Sequence, residues 1–139
     1  AARTTLPRLV DAVKAEVHPS VRCVDLVDRA DLVTLAAVLD ASDLLVTGDT
    51  GPMHLASALD VPLVAVFGPS DPVRWGPTSV RTRVVRVSLP CSPCNRIRLP
   101  PARCLGHVPD CLDGIRVDDV LEAARNAAEM LIELAELHH

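Results

Sequence analysis

One stretch decides the fold: residues 43–77 read DLLVTGDTGPMHLASALDVPLVAVFGPSDPVRWGP. Its two continuous apolar runs, Asp43–Thr47 and Val61–Phe67, are each followed by a glycine-containing loop. Continuous apolar runs between turn residues are typical of parallel strands buried on both faces. Between them, Pro52 stands where a helix accepts proline, and a short helix is predicted over Met53–Leu59. The stretch therefore predicts a β–α–β unit with a right-handed crossover.

The flanking segments extend this alternation of helices and strands. Further strands are predicted at 21–26 and 82–87, and Asp31 is placed to cap a helix that precedes the decisive stretch. The last helix is predicted to begin at a capping-box-like pair, Asp119 and Glu122. The fold class is therefore α/β, with a Rossmann-like parallel sheet and helices on both faces.

Length and composition predict one domain over residues 1–139, with residues 90–114 as a Cys-, Pro- and Arg-rich loop. The chain has 139 residues and is 49% hydrophobic, which excludes intrinsic disorder. The longest apolar run is much shorter than the roughly 20 residues that span a bilayer, and no export signal is recognised, so a cytoplasmic protein is expected. Because the chain opens on a helix, an upstream part is expected to be missing. We interpret His138 and His139 as a purification-tag remnant.

The segment from Gly48 to His54 is the first candidate site. A glycine turn here brings a helix N-terminus to the carboxyl end of a parallel strand, and its unpaired N–H groups and helix dipole attract phosphate. Gly51 permits close approach of a ligand, His54 can donate to a phosphate oxygen, and Asp49 lies where open α/β sheets bind ligands. The alternative is an ordinary tight turn, with Asp49 as a local cap and His54 in solvent.

The loop after the next strand, Phe67–Pro72, is the second candidate. It leaves the same edge of the predicted sheet, so both loops can line one crevice. Ser70 can hydrogen-bond a ligand, and Asp71 can cap the segment that follows. Taken alone, this loop is better explained as a simple Pro-Gly connection.

Together the two loops closely resemble the C-terminal domain of family 9 glycosyltransferases, the bacterial ADP-heptose:lipopolysaccharide heptosyltransferases and their relatives. The family pattern is an Asp-Thr-Gly-x-x-His segment that opens a helix, then a strand ending in Phe-Gly-Pro-Thr/Ser-Asp-Pro. Both elements are complete here, at the family's separation, in Asp49–His54 and Phe67–Pro72. A weaker resemblance continues through Cys91-Ser92-Pro93-Cys94.

The resemblance implies the GT-B architecture, in which two Rossmann-like domains face a cleft and the C-terminal one holds the nucleotide-sugar donor. Thr50 and Gly51 would offer backbone N–H groups to the diphosphate, Asp49 and His54 would contact the transferred sugar or phosphate, and Ala30 would contact adenine. Transfer would be inverting and would need no metal or other cofactor. No catalytic residue is expected in this chain, since the general base would belong to the N-terminal domain, and the chain alone is expected to be inactive.

The resemblance also implies the partners: ADP-heptose as donor and, through the full-length enzyme, a lipopolysaccharide-type acceptor at the cytoplasmic face of the inner membrane, with peripheral membrane contact only. Two rival functions stay open. One is another GT-B-like nucleotide-sugar enzyme, of the epimerase type. The other is a non-catalytic, metal-stabilised interaction module.

Four cysteines follow the pattern Cys91-x2-Cys94-x9-Cys104-x6-Cys111. Four thiols suit a structural zinc site by residue type, but only one Cys-x-x-Cys is present, so free packed thiols and disulfides remain alternatives. Cys23 is predicted to be a buried apolar residue on a strand.

The stretch from Pro72 to Pro109 has seven arginines and no acidic residue. Arginine suits bidentate phosphate contact, so a phosphate-rich acceptor or an anionic membrane would fit; a solvated loop balanced by acid elsewhere is the alternative. The near absence of aromatic residues argues against single-stranded nucleic acid.

Overall fold

The computed structural model describes residues 18–96 and 98–136, together with Asp11 and Ala15. The chain divides into two compact units, residues 1–33 and 34–139. In the first unit, a turn is closed by the Arg29 N–H, which donates to the Leu26 carbonyl over 3.1 Å.

The prediction of a strand at residues 21–26 is wrong. This segment is irregular, Val21 and Val24 are exposed, and Cys23 is exposed rather than buried. The Val21 N–H donates to the His18 carbonyl over 2.8 Å, which is a turn contact and not part of a ladder. Apolar residues alone do not make a strand, because a strand requires ladder hydrogen bonds to a neighbour.

The remaining elements match the predicted alternation. In chain order they are α1 (Leu32–Asp40), β1 (Leu45–Gly48), α2 (Gly51–Ala58), β2 (Leu63–Val66), α3 (Pro72–Trp75), β3 (Thr82–Val85), a 3₁₀ turn (Ala102–Cys104), α4 (Asp110–Asp113) and α5 (Val117–Glu136). The sheet has the order β1-β2-β3, and both pairings are parallel. No helix in the described part of the chain is long and apolar enough to cross a bilayer.

The core is built around β2. Leu63, Ala65 and Phe67 share one face with Met53 of α2 and Leu39 of α1, and all five are buried. Val64, which alternation places on the opposite face, is fully buried too, and α5 packs against β2 and β3. Both faces of the sheet are therefore covered, which confirms the predicted α/β class.

The last helix begins earlier than predicted. α5 starts at Val117, and the Arg116 N–H donates to the Asp119 Oδ2 atom over 3.0 Å. Asp119 thus lies at the third helical position and bonds back to the residue before the helix, the reciprocal half of a capping box. The prediction that Asp119 is the N-cap residue is therefore wrong, and the helix begins about one turn earlier. The two positions are easily confused, because a carboxylate can serve at either the N-cap or the third helical position of a capping box.

Candidate donor site

The carboxyl edge of the sheet brings the two candidate loops together. Gly48 at the end of β1 pairs with Val66 at the end of β2, and Val66 pairs with Val85 at the end of β3. The strands therefore end in line. Consequently, the turn after Gly48 and the loop after Val66 leave the sheet side by side, as the sequence predicts.

The helix that follows β1 begins without a side-chain cap. Thr50 is the N-cap residue, with extended backbone at φ −146° and ψ 168°, but its side chain makes no capping hydrogen bond. Its hydroxyl instead donates to the Gly48 carbonyl over 3.3 Å and lies 3.2 Å from the Thr47 hydroxyl. The Thr50 side chain therefore leaves the start of α2 uncapped, although the Met53 N–H donates to the Thr50 carbonyl over 3.1 Å and Pro52 has no N–H to satisfy.

The N-terminus of α2 also faces open space. Gly51 is exposed, and a Cβ atom added to it would meet no other atom within 4 Å. His54, in the first turn, is exposed, and Asp49 is half-buried at the strand tip. A helix end carries roughly half a positive charge, so this edge presents N–H donors and positive potential to an incoming anion.

The second loop is enclosed instead of open. Phe67 is fully buried, and its N–H donates to the Val85 carbonyl over 2.9 Å. Ser70 is only 3% exposed. Asp71 accepts a hydrogen bond of 2.9 Å from the Val73 N–H and caps α3, which confirms that part of the prediction. The Asp71 carboxylate is thus already used as a helix cap, and the Ser70 side chain is shielded from solvent.

Residues 90–114, called here the cysteine loop, hold the Phe67–Asp71 loop in place. The Ser92 hydroxyl donates to the Gly68 carbonyl over 2.9 Å. The Asn95 N–H donates to the Pro69 carbonyl over 2.7 Å, and its side-chain oxygen accepts from the Asp71 N–H over 3.0 Å. Sequence reasoning missed these contacts.

Close packing adds to these hydrogen bonds. A Cβ atom added to Gly68 would lie 2.6 Å from the Leu112 Cδ2 atom, so this glycine makes room for the cysteine loop. The Phe-Gly-Pro signal thus marks a close packing contact as well as a turn.

The sequence profile of Glycosyltransferase family 9 (heptosyltransferase) matches residues 7–101. This chain belongs to glycosyltransferase family 9.

The relatives support the same assignment. The family 9 chain is 30% identical over 108 residues to lipooligosaccharide heptosyltransferase 2 of Campylobacter jejuni, covering 77% of this chain and 32% of that protein. It is 42% identical over 65 residues to lipopolysaccharide heptosyltransferase 2 of Salmonella typhimurium, covering 47% of this chain and 19% of that protein. The chain thus spans between about a fifth and a third of these curated relatives.

A solved structure agrees with the fold. The ADP-heptose lps heptosyltransferase II of E. coli superposes with a TM-score of 0.66 at 27% identity, covering 87% of this chain and 33% of that one. The Rossmann-like fold therefore agrees with a solved heptosyltransferase.

Ala30, the predicted adenine contact, belongs to the first unit of the family 9 chain. It is half-buried and follows a turn in which Asp28 has a positive φ of 58°. Its role in donor binding stays a prediction.

The arginines of the acid-free stretch divide into two groups. Arg81 forms an ion pair of 3.5 Å with Asp60, and the Arg86 guanidinium donates to the Ser92 carbonyl over 3.1 Å. Arg74, Arg96 and Arg98 instead line an open cleft of about 780 Å³, where the Arg74 guanidinium lies 5.0 Å from the centre of the Trp75 ring. Part of the stretch supports the fold, and part forms a basic surface.

Proposed function

We propose that this chain is the C-terminal nucleotide-sugar binding domain of a heptosyltransferase, and that the N-terminus of α2 holds the diphosphate of ADP-heptose. The single observation that carries the proposal is the open, uncapped N-terminus of α2 at the edge where the strands end. Membership of family 9 and the names of the relatives support the choice of donor.

Each residue of the proposed site has a role that its chemistry supports. The backbone N–H groups of Thr50 and Gly51 bind diphosphate oxygens, and Gly51 allows the close approach. The exposed His54 side chain donates to a phosphate or sugar oxygen. The Asp49 carboxylate would be repelled by phosphate, so it accepts hydrogen bonds from hydroxyl groups of the transferred sugar.

The reaction proposed for the complete enzyme is inverting transfer of the heptosyl group. As the glycosidic bond to the diphosphate breaks, negative charge grows on the leaving phosphate oxygen. The dipole and amides of α2 stabilise that charge in the transition state more than in the ground state, which lowers the barrier. A general base outside this chain takes the proton from the acceptor hydroxyl.

The acceptor is proposed to be of the lipopolysaccharide type, reached at the cytoplasmic face of the inner membrane. The Campylobacter and Salmonella relatives are named for lipooligosaccharide and lipopolysaccharide heptosyl transfer. The cleft lined by Arg74, Arg96 and Arg98 offers bidentate donors for phosphate or carboxylate groups of such an acceptor.

Gly51→Ala tests the donor site directly. Because an added Cβ meets nothing within 4 Å, the variant should unfold at the same denaturant concentration as the parent. In the complete enzyme, however, the methyl group occupies space needed by the diphosphate. The dissociation constant for ADP-heptose, measured by calorimetry, should rise about tenfold, or about 1.4 kcal/mol.

Ala58→Ser, at the exposed opposite end of α2, is the matched control and should bind donor as the parent does. Unchanged donor affinity in Gly51→Ala would remove the diphosphate from this helix end. Tighter binding of a UDP-sugar than of ADP-heptose by the parent would favour the epimerase type of enzyme instead.

A further inference from the structure

A cluster of thiols lies in the cysteine loop, away from the N-terminus of α2. We call it the thiol cluster: Cys91, Cys94, Cys104 and Cys111, all of them free. All four line one cavity of about 240 Å³. Their spacing along the chain does not require this convergence, so the fold itself brings the four side chains to one space.

The thiols interact electrostatically. Burial raises the pKa of the Cys111 thiol, and the neighbouring Cys94, Cys104 and Cys91 thiolates raise it further, while a backbone hydrogen bond lowers it.

The cysteine loop has little apolar burial to hold it together. Its regular structure in the described residues is limited to the 3₁₀ turn at Ala102–Cys104 and the single turn of α4. Leu99, Leu105 and Val108 are all exposed. Such a segment gains little from the hydrophobic effect, and cross-linking by disulfides or a metal is the usual remedy.

We propose that the thiol cluster binds one thiophilic metal ion, with Zn²⁺ as the simplest occupant, in a closed structural site. Four thiolates complete a tetrahedral coordination shell, so no position remains open for a substrate. Each thiol releases its proton to solvent as its sulfur binds, and the metal keeps its oxidation state.

The surroundings suit the charge of such a site. Four thiolates and a divalent cation leave two negative charges. Arg96 and Arg103 line the same cavity and offset them, while Asp110, also in the lining, adds one negative charge. Arginine remains charged throughout the neutral range, so this compensation does not depend on pH.

Binding requires the loop to contract around the ion. Among the residues that the structure describes, no three Cys, His, Asp or Glu side chains already form a group that could hold a metal. Thiolate sites commonly form together with the metal, and binding energy is then spent on ordering the chain. Cys91 and Cys94 lie outside the regular secondary structure of the loop, which permits this movement.

The consequence of metal binding reaches the sheet edge. Ser92 lies between two of the proposed ligands and Asn95 directly follows one, and these residues hold Gly68, Pro69 and Asp71. A metal that fixes the cysteine loop therefore fixes the Phe67–Asp71 loop as well. This inference does not depend on the proposed donor or reaction.

A cobalt titration of the full chain, prepared without metal-affinity resin, tests the site. Co²⁺ should produce thiolate charge-transfer absorption that saturates at one ion per chain, and Zn²⁺ should displace it. Cys94→Ser should weaken binding at least about 100-fold, since it removes one of four ligands. Cys23→Ser is the matched control and should change nothing, because Cys23 is exposed and outside the cavity.

Thiol counting provides the second readout. Without metal, all five cysteines should react with a thiol reagent; with Zn²⁺, rapid reaction should be confined to Cys23. Iron at one atom per chain in protein as purified would support the site with a different occupant. Absence of the charge-transfer band, equal effects of the two serine variants, or loss of thiols to disulfides before metal is added would each overturn the proposal.

Discussion

The two loops at the carboxyl edge of the sheet differ in how they are held. The turn from Asp49 to Gly51 leads into α2 with an uncapped helix end and open space around Gly51. The loop from Phe67 to Asp71 begins at a fully buried aromatic ring and is bonded to residues that follow it by 24 positions. Neighbouring strand ends thus carry one open turn and one tied loop.

This difference suggests a division of labour. Polar groups left without protein partners are the ones that can bind a ligand, whereas groups already bonded maintain the frame around it. Asp71 uses its carboxylate as a helix cap, so it has less capacity for a ligand than Asp49. The comparison therefore ranks the candidate residues: those of the open turn before those of the tied loop.

Phe67→Ala should give the largest change, because it removes the anchor of the tied loop. The ring is 0% exposed and belongs to the core cluster. Truncation of a buried aromatic side chain should lower the free energy of unfolding by about 3–5 kcal/mol. Urea denaturation measures this loss, and Phe67→Leu should recover much of it. A loss below about 1 kcal/mol would mean that the loop is not anchored in the core.

The open turn should show its effect in activity and not in stability. His54→Ala and Asp49→Ala should each lower kcat/KM of the complete enzyme at least about tenfold, or about 1.4 kcal/mol, with little change in the free energy of unfolding. His18→Ala, which removes an exposed histidine elsewhere, is the control. Turnover near that of the parent in both site variants would refute the assignment.

The smallest expected effect contrasts the two helix caps. Asp71→Ala should cost about 1 kcal/mol of stability, since its carboxylate accepts the Val73 N–H at 2.9 Å. Thr50→Ala should cost much less, because the Thr50 side chain makes no capping bond. Thermal unfolding of both variants measures the difference. Equal losses would show that Thr50 does cap α2 in solution.

Short-range patterns predicted most of this fold. Continuous apolar runs located β1 and β2, and Pro52 located the start of α2, because these signals depend on a few adjacent residues. The segment at 21–26 misled for the opposite reason: its apolar side chains do not indicate whether a ladder partner is present. Likewise, the sequence predicts Asp119 as the N-cap residue, whereas it lies at the third helical position. An acidic residue can serve at either of these two positions of a capping box, so the sequence does not distinguish them.

The candidate site was only half predictable. The glycines, proline and histidine of the segment from Gly48 to His54 predicted the open turn, because such a turn depends only on adjacent residues. The contacts of Ser92 and Asn95 to the Phe67–Asp71 loop join residues 24 or more positions apart and left no periodic signal. The spacing of the four cysteines suggested a metal but could not establish that they border a single cavity.

The N-terminus of α2, which has no side-chain cap, also limits the stability of the unliganded protein. A carboxylate at position 50, as in Thr50→Asp, would add favourable negative charge at the helix N-terminus, so it should raise the melting temperature. The same carboxylate would take the position of an incoming anion and repel it. Selection for a more stable unliganded protein is therefore opposed at residue 50 by the need to bind the anion. Binding of the ligand should itself raise the melting temperature of the chain.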